Sequence, residues 1–291
     1  MRFRGKIEVI GCIQHFTRMV GTIAKLAKNC VLKITQNKLY FIVSDSIANA
    51  GAGIWCELVQ ANFFDEYNMD GVSATDNEIF LDVTLDNVVR ALKSAQSAKS
   101  LKIKLTKKHT PCLTFDIELP SMTAHSRNVV HDVPVNVIPQ RLWGDYEEPP
   151  MPDFDVSIYM PPLKVVRNVI ERMKNLSSYV ILSANQSGEM TLKVETDMVT
   201  CTTHFRDLSN PTWGNDGDVA DQSSQIQSQS QAQDTEFSSA RIDIKKFSNF
   251  LMGQQINPTR VICNIVHNRT IQFFLIHEDM SLQYFIPVIS L

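Results

Sequence analysis

The chain has 291 residues, of which 44% are hydrophobic and 20% are charged. This composition excludes disorder of the whole chain, and the length suits two domains of ordinary size. No apolar run approaches the roughly 18 residues that a membrane-spanning helix needs, so we expect no such helix. The net charge of −3 does not favour a nucleic-acid partner, and such a partner has to be argued from where the charges lie.

The first half of the chain begins with a strand and an amphipathic helix. Phe3–Val9 alternates basic and apolar residues as a strand does, and Cys12–Asn29 has apolar residues at helical spacing. A second helix is predicted over Leu85–Ala98. The other predicted strands are Cys30–Thr35, Lys38–Asp45, Gly53–Val59, Ile79–Val83, Leu101–Thr106 and Cys112–Leu119.

A proline-rich acidic stretch, Pro139–Pro152, interrupts this pattern near the middle of the chain. Such a composition is typical of a semi-rigid linker. We therefore predict a first domain over residues 1–138, a connecting loop over 139–153 and a second domain over 154–291.

The second half repeats the order of elements found in the first. Helices are predicted at Pro162–Leu176 and Asp243–Gly253. Strands are predicted at Val156–Met160, Tyr179–Ala184, Met190–Glu195, Val199–Phe205 and Ala240–Ile242, with three more towards the end. Residues 209–239 are rich in Ser, Gln, Asp, Asn and Gly, which predicts a disordered insertion. The repetition indicates an α+β fold of two similar domains, each with the order strand, helix, several strands, helix, several strands. Short alternating strands of this kind favour antiparallel sheets with the helices on one face.

The four predicted helices carry most of the positive charge of the chain. They contain eleven basic and three acidic residues, a net charge of +8 in a chain whose total is −3. Ordinary solvated helix faces mix both signs and place Glu four residues from Lys, but such pairs are nearly absent here. A shared basic surface indicates a phosphate backbone as partner. The helices lack clustered aromatic residues for stacking on single-strand bases, so duplex DNA is favoured.

Resemblance to a known family is carried by six stretches, namely LAKNCVLKIT, GIWCELVQANFFDEY, LKIKLTKKHTPCLTFDIEL, THFRDL, QQINPTRVICNIVH and HEDMSLQYFIP. They resemble the Hus-type (Hus-one) subunit family of the heterotrimeric DNA-damage checkpoint clamp, and the resemblance covers nearly all of the chain outside the Ser/Gln-rich insertion. It implies the DNA clamp fold of the processivity factor PCNA, an α+β fold of two similar βαβββαβββ-type domains with antiparallel sheets outside and four helices on the inner face. Three subunits would then close a ring around duplex DNA.

The resemblance also implies partners and a location. The partners would be Rad-nine-type and Rad-one-type paralogues, an ATP-dependent clamp loader, duplex DNA bound without sequence preference, and repair enzymes. The subunit would be non-enzymatic, without cofactor or membrane contact, and nuclear, with a cytoplasmic pool allowed. Partner peptides bind such clamps beside the connecting loop, and whether this subunit has a working pocket there stays open.

The clamp resemblance implies that the basic helix residues line a pore and face the DNA. The candidates are Arg18, Lys25, Lys28, Arg90, Lys93, Lys164, Arg167, Lys174, Lys245 and Lys246. Glu171 departs from an all-basic lining and is spaced to pair with Arg167.

Ring closure in this fold joins edge strands of neighbouring subunits, and an unpaired β-rich edge favours strand addition. The resemblance implies that Leu113–Leu119 and Val199–Phe205 are these edges, although interior strands remain the alternative. The candidate interface residues are Leu113, Phe115, Ile117, Val199, Cys201, Thr203 and Phe205. Three Ser-Gln pairs, at Ser224, Ser228 and Ser230, are candidate sites for checkpoint kinases, which favour that dipeptide.

Catalytic and metal-binding patterns are weak. Histidines occur beside acidic residues at His131-Asp132 and His277-Glu278, but no zinc-protease motif, nucleophile elbow or phosphate-binding loop accompanies them. The six cysteines are scattered and mostly lie in apolar stretches, which predicts buried free thiols of an intracellular protein. Two alternatives remain, a homotrimeric processivity clamp for polymerases and a DNA nuclease.

Overall fold

The chain folds as two compact units. The computed structural model describes residues 1–43, 53–73, 76–120, 127–213, 219–220 and 236–289. Unit 1 contains residues 1–44, 54–149 and 278–281, and unit 2 contains residues 45–53, 150–277 and 282–291. The division between residues 149 and 150 falls inside the proline-rich stretch that the sequence predicts as a connecting loop. Among the described residues, no helix is long and apolar enough to cross a membrane.

Unit 1 is an antiparallel sheet with two helices. The helices are α1 (Ile10–Leu26) and α2 (Leu85–Lys93). The strands are β1 (Arg2–Ile7), β2 (Asn29–Ile34), β3 (Lys38–Val43), β4 (Gly53–Val59), β5 (Glu66–Asp70), β6 (Ile79–Thr84), β7 (Ser100–Lys107), β8 (Pro111–Leu119) and β9 (Arg127–Val137). Their order in the sheet is β4-β3-β2-β6-β9-β8-β7-β1-β5. The sequence predicts both helices but misses β5 and β9.

The two helices of unit 1 cover one face of this sheet. Phe16 of α1 and Val88 of α2 line one apolar core together with Leu32 and Phe41 of the sheet. Burying a side chain of this size stabilises a fold by about 1.5–3 kcal/mol, so these contacts hold the helices on the sheet. Because strand side chains alternate between faces, the neighbours of Leu32 and Phe41 point to the opposite face.

The opposite face of unit 1 carries a second apolar cluster. It consists of Val31, Ile42, Trp55, Phe80 and Ile138. Trp143 and Tyr146 pack against it from a 3-10 helical segment of the predicted connecting loop, Gln140–Tyr146. The Trp143 ring stacks on Phe80 with centroids 4.6 Å apart, and its Nε1 donates a hydrogen bond to the Ile138 carbonyl at 3.1 Å. This part of the loop is therefore anchored on unit 1 and is not a free spacer.

Replacing Trp143 by alanine should lower the free energy of unfolding by about 2 kcal/mol, below the usual cost for a fully buried Trp, because Trp143 is only half-buried. Urea denaturation of the purified chain measures the change. Leu142→Ala, at an exposed neighbouring position, is the matched control and should be nearly neutral. Equal stability of the Trp143 variant and the wild type would show that the loop does not stabilise unit 1.

Unit 2 repeats the arrangement with two sheets and two helices. The helices are α3 (Leu163–Met173) and α4 (Ile244–Phe250). The strands are β10 (Val156–Tyr159), β11 (Tyr179–Ala184), β12 (Met190–Glu195), β13 (Thr200–Phe205), β14 (Thr212–Trp213), β15 (Val219–Ala220), β16 (Ser238–Asp243), β17 (Arg260–Val266), β18 (Thr270–His277) and β19 (Met280–Pro287). The sheet orders are β13-β12-β11-β16 and β10-β17-β18-β19, with β14 and β15 as a separate pair.

Two kinds of buried side chain build the core of unit 2. Phe273 stacks between Phe247 and Phe250 of α4, with ring centroids 4.9 and 4.6 Å away. Two buried amides form a second feature: Asn264 donates to Gln272 at 2.7 Å across β17 and β18. Gln272 in turn donates to Gln283 of β19 at 2.9 Å. The apolar stack fixes α4 on its sheet, and the amide ladder spans three neighbouring strands.

The predicted disordered insertion, residues 209–239, includes residues at both of its ends that are ordered in the structure. Its residues 214–218 and 221–235 lie outside the described part of the chain. At its start, the Ser209 carbonyl accepts from Tyr159 N at 2.9 Å, and the side-chain amide of Asn210 donates to the Ser157 carbonyl at 2.7 Å. At its end, Ser238 and Ser239 belong to β16. Backbone and side-chain hydrogen bonds thus order both ends of a segment whose composition is polar.

All six cysteines are free thiols, as predicted. Cys30, Cys56, Cys112 and Cys263 are buried, whereas Cys12 and Cys201 are half-buried. Burial raises the pKa of the thiols of Cys30, Cys56 and Cys263 well above the ordinary range, because the charged thiolate is poorly solvated there.

Candidate nucleic-acid interface

Helix α1 presents a cationic side to solvent. Its apolar side is buried and its opposite side exposes Arg18 and Lys25, seven residues and therefore about two turns apart. Lys28 is exposed just beyond the end of the helix, and its carbonyl accepts from Leu85 N at 2.8 Å. That bond brings Lys28 to the first residue of α2.

Helix α2 extends the cationic surface of unit 1. Arg90 and Lys93 are exposed in its last turn, which suits the negative end of the helix dipole. The side-chain amide of Gln14 on α1 donates to the Gln96 carbonyl just after α2 at 3.2 Å, which ties the two helices together. Within the described residues, no carboxylate forms an ion pair with the predicted cations of these two helices.

The spacing of apolar residues predicts that α3 buries Val165, Val166, Val169 and Met173, and the structure bears this out only for Val166 and Met173. The buried residues are Leu163, Val166, Ile170 and Met173. The prediction placed Val165 in the core, but its side chain is 48% exposed. Lys164 is exposed and Arg167 is half-buried on the remaining surface.

The predicted partner of Glu171 is wrong. Its carboxylate forms a short ion pair with Lys174, and its other oxygen accepts from the Ser248 hydroxyl of α4 at 3.0 Å. The hydrogen bond from Lys174 is the main cause that holds the pKa of Glu171 below its ordinary value, and Arg167 contributes only at longer range. Lys174 is therefore compensated by Glu171, whereas Arg167 keeps its charge available.

Helix α4 begins at a capping aspartate. One oxygen of Asp243 accepts from the backbone N–H groups of Lys245 and Lys246, at 2.8 and 2.9 Å. None of the other three helices has a side-chain cap at its start. The cap fixes the first turn of α4, in which Lys245 is exposed and Lys246 half-buried.

Replacing Asp243 by alanine should lower the free energy of unfolding by about 1 kcal/mol, because two backbone donors lose their acceptor. Asp243→Asn is the matched control, since its side-chain oxygen can still cap the helix, and it should retain most of the stability. Thermal unfolding of both variants measures the difference. Equal losses in both would mean that the charge, and not the cap, is what stabilises α4.

The structure corrects one of the two predicted edge strands. Strand β8 is paired on both sides. Its residues 111–118 pair with residues 100–107 of β7, and its residues 112–119 pair with residues 127–134 of β9. Leu113, Phe115 and Ile117 are buried on this interior strand. The prediction that Leu113–Leu119 forms an edge is therefore wrong, because the strand that covers it, β9, is missing from the prediction.

Two open edges lie at β9 and β13, while β5, β10 and β16 also end their sheets. In β9, residues 127–134 pair with β8, and only Val135–Val137 pair with β6 on the other side. Val130 on this open segment is 54% exposed. Strand β13 pairs with β12 alone and ends its sheet, and it contains the predicted Cys201, Thr203 and Phe205. Val199 precedes it and is exposed.

The predicted His131-Asp132 pair makes hydrogen bonds within unit 1, and the three Ser-Gln serines are not among the described residues. His131 contacts the Ser94 hydroxyl at 3.1 Å, and Asp132 accepts from Lys108 and Thr114 at 2.5 and 2.6 Å. Ser224, Ser228 and Ser230 lie outside the described part of the chain.

Comparison with solved structures confirms the predicted fold. The crystal structure of Proliferating Cellular Nuclear Antigen from Entamoeba histolytica superposes with a TM-score of 0.71, covering 99% of both chains at 11% identity. PCNA from Thermococcus kodakaraensis gives a TM-score of 0.68 at 14% identity, covering 98% of this chain and 99% of that one. The α+β fold with antiparallel sheets is the PCNA-like clamp fold.

Comparison of sequences confirms the family. The chain is 51% identical to human Checkpoint protein HUS1 over 290 residues, covering 100% of both proteins. It is 30% identical to Checkpoint protein hus1 of Schizosaccharomyces pombe over 264 residues, covering 90% of this chain and 88% of that protein. The family model described as Hus1-like protein matches residues 1–290. The chain therefore belongs to the Hus1-like protein family.

Proposed function

We propose that the chain is one subunit of a heteromeric checkpoint clamp that encircles duplex DNA. The observation that carries the proposal is that all four helices of a PCNA-like fold expose cations, while the chain as a whole is negative. The relatives in human and fission yeast are named checkpoint proteins, which supports a role in DNA-damage signalling. The proposed location is the nucleus, where such a ring meets its substrate.

The helix cations would hold DNA without reading its sequence. Lysine and arginine release counterions from phosphates. For each neutralised phosphate, the logarithm of the affinity falls with the logarithm of the salt concentration with a slope of about 0.9. Dispersed cations offer no base-specific hydrogen bonds that would stop a protein on one sequence. A ring that is held by topology can therefore slide while these charges keep the duplex centred.

The open edges would close the ring. An unpaired strand edge presents backbone donors and acceptors that another strand can satisfy. Unit 1 offers the open segment of β9 and unit 2 offers the sheet-ending strand β13, so head-to-tail pairing of these two edges can build a closed ring. We assign the neighbours to two paralogous clamp subunits of the Rad-nine and Rad-one types, with an ATP-dependent loader that opens the ring and repair enzymes that use it as a scaffold. In this role the chain itself is non-enzymatic.

Size measurement after co-expression tests the proposal. The chain with both paralogues should sediment as one complex with a single copy of each, and after loading it should stay on circular DNA but leave linear DNA through the free ends. A stable trimer of this chain alone would instead support the homotrimeric processivity clamp. Metal-dependent DNA cleavage by the pure chain would support an enzyme.

A further inference from the structure

An open pocket of about 310 Å³ lies beside the open edge of unit 1. One wall comes from α2, with Asn87 and Arg90, and the other from β9, with His131 and Asp132. The β9 residues of this wall belong to the segment that pairs with β8 on one side only. A strand added to β9 would therefore run past the mouth of the pocket.

The pocket is cationic although it contains Asp132. Both oxygens of Asp132 are engaged, one by Lys108 Nζ at 2.5 Å and the other by the Thr114 hydroxyl at 2.6 Å. The hydrogen bond from Lys108 is the main cause that holds the pKa of Asp132 below its ordinary value. Because Lys108 compensates Asp132, the charge left in the pocket is that of Arg90.

Three side chains of the pocket can donate to an anion. Arg90 is exposed and, within the described residues, forms no ion pair. Its guanidinium offers donors in a planar fork that matches a carboxylate. The Asn87 amide is exposed on the same side of α2. His131 uses Nε2 towards the Ser94 hydroxyl at 3.1 Å, and Nδ1 has no partner among the described residues.

We propose that this pocket receives an Asp or Glu side chain from the neighbouring clamp subunit whose strand adds to β9. The inference rests on the ring proposed above, and it assigns Arg90 to the subunit interface instead of the DNA lining. Alternate side chains of an added strand point to one face, so one of them would project towards α2. A carboxylate there would be held by Arg90, with Asn87 and His131 as further donors.

The charge of the pocket also selects which chain can fill it. The only other open edge that we assign to ring closure, β13, has the sequence TCTTHF and contains no carboxylate. A second copy of this chain would therefore leave Arg90 without an acid partner, whereas a paralogue with an acid at the facing position would pair with it. Such a difference in pairing favours a mixed ring over a ring of identical subunits.

Charge reversal at Arg90 tests the inference in the absence of DNA. Arg90→Glu should weaken assembly with the clamp paralogues at least about tenfold in Kd, measured by sedimentation of the purified chains, because a buried interfacial charge pair becomes a repulsion. Arg2→Glu makes the same change of charge on β1, on the face of unit 1 away from the helices, and should assemble like the wild type. Reversing the facing acid of the paralogue to Lys should restore assembly of Arg90→Glu.

The outcomes separate this inference from the proposed function. Normal assembly of Arg90→Glu together with weaker retention of duplex DNA would identify a phosphate site and overturn the inference. Normal assembly and normal DNA retention would also overturn it and leave the clamp proposal standing. Failure of the wild-type chain to assemble with either paralogue would overturn both. Thermal unfolding of Arg90→Glu shows whether the variant folds, and Arg90→Ala, which adds no negative charge, should show a smaller loss in the same direction.

Discussion

Reversing two helix cations, Lys25→Glu with Lys93→Glu, is expected to weaken retention of duplex DNA by the assembled clamp on the order of 10²-fold at low salt. Each reversal removes one phosphate contact and adds one repulsion. The slope of log affinity against log salt should become shallower by about 1.8, because about 0.9 is lost for each phosphate contact. Both residues are exposed on adjacent helices of unit 1, and neither forms an ion pair within the described residues. Titration of salt in a DNA-binding assay measures both quantities.

A control with the same change of charge separates this effect from simple net charge. Arg2→Glu with Lys102→Glu also replaces two cations by two anions, on β1 and β7. Phe3, the neighbour of Arg2, lines the core under the helices, so Arg2 points to the other face of the sheet. The control should leave the salt slope unchanged. Equal losses of DNA retention in the two double variants would show that the helix surface is not the DNA-binding site.

Two proline variants of β9, Val129→Pro and Val130→Pro, are expected to behave differently. One of them should weaken ring assembly about 10²-fold without destabilising unit 1. Successive backbone N–H groups of a strand point to opposite sides, so one of them faces β8 and the other faces the open edge. Removing the donor at the open edge should cost about 2–3 kcal/mol of assembly, since the acceptor on the added strand is left unsatisfied. The proline at the other position should lower the unfolding temperature instead.

Strand β8 supplies the contrast for this experiment. Thr114 and Phe115 lie between β7 and β9, so proline at either position breaks an internal pairing and should destabilise unit 1. Thermal unfolding of the single chain and sedimentation with the paralogues measure the two effects. If both β9 variants kept full stability and full assembly, the open segment of β9 would not be the site of strand addition.

The sequence predicts the helices well because periodicity and charge are local properties. The helical spacing of apolar residues predicts the buried sides of α1, α2 and α4 correctly, and the exposed cations follow from them. The exception is α3, where a run of β-branched residues let Val165 and Val166 both be counted as apolar positions. In the structure the buried side of α3 is centred on Val166 and Ile170, with Leu163 and Met173 beside them. Val165 lies about 100° around the helix from Val166, on the side away from Ile170, and is exposed.

Pairing between strands is the part that the sequence does not reveal. The alternation of Val129, Val133 and Val135 is a strand signal, but Pro134 argues against a strand within a sheet. The structure places Pro134 where β9 stops pairing with β8 and starts pairing with β6, a position that tolerates the missing donor. Because the prediction lacks β9, it places the edge of the sheet at β8.

The spacing of charged residues within a helix also does not decide which ion pair forms. Glu171 is four residues from Arg167 and three from Lys174, and both spacings are favourable. The Ser248 hydroxyl of α4 holds one oxygen of Glu171, and the other oxygen meets Lys174. The choice therefore depends on a neighbouring helix that lies 77 residues further along the chain.

The buried amides of unit 2 make strand slippage costly there. Asn264 and Gln272 face each other across β17 and β18, and Gln272 also reaches Gln283 of β19. A shift of any one strand by one residue would turn an amide to the opposite side and set its partner against hydrocarbon. Apolar side chains would tolerate several alignments of these strands, whereas the hydrogen bonds that join the three amides form in only one of them. The amides therefore favour a single alignment of this sheet.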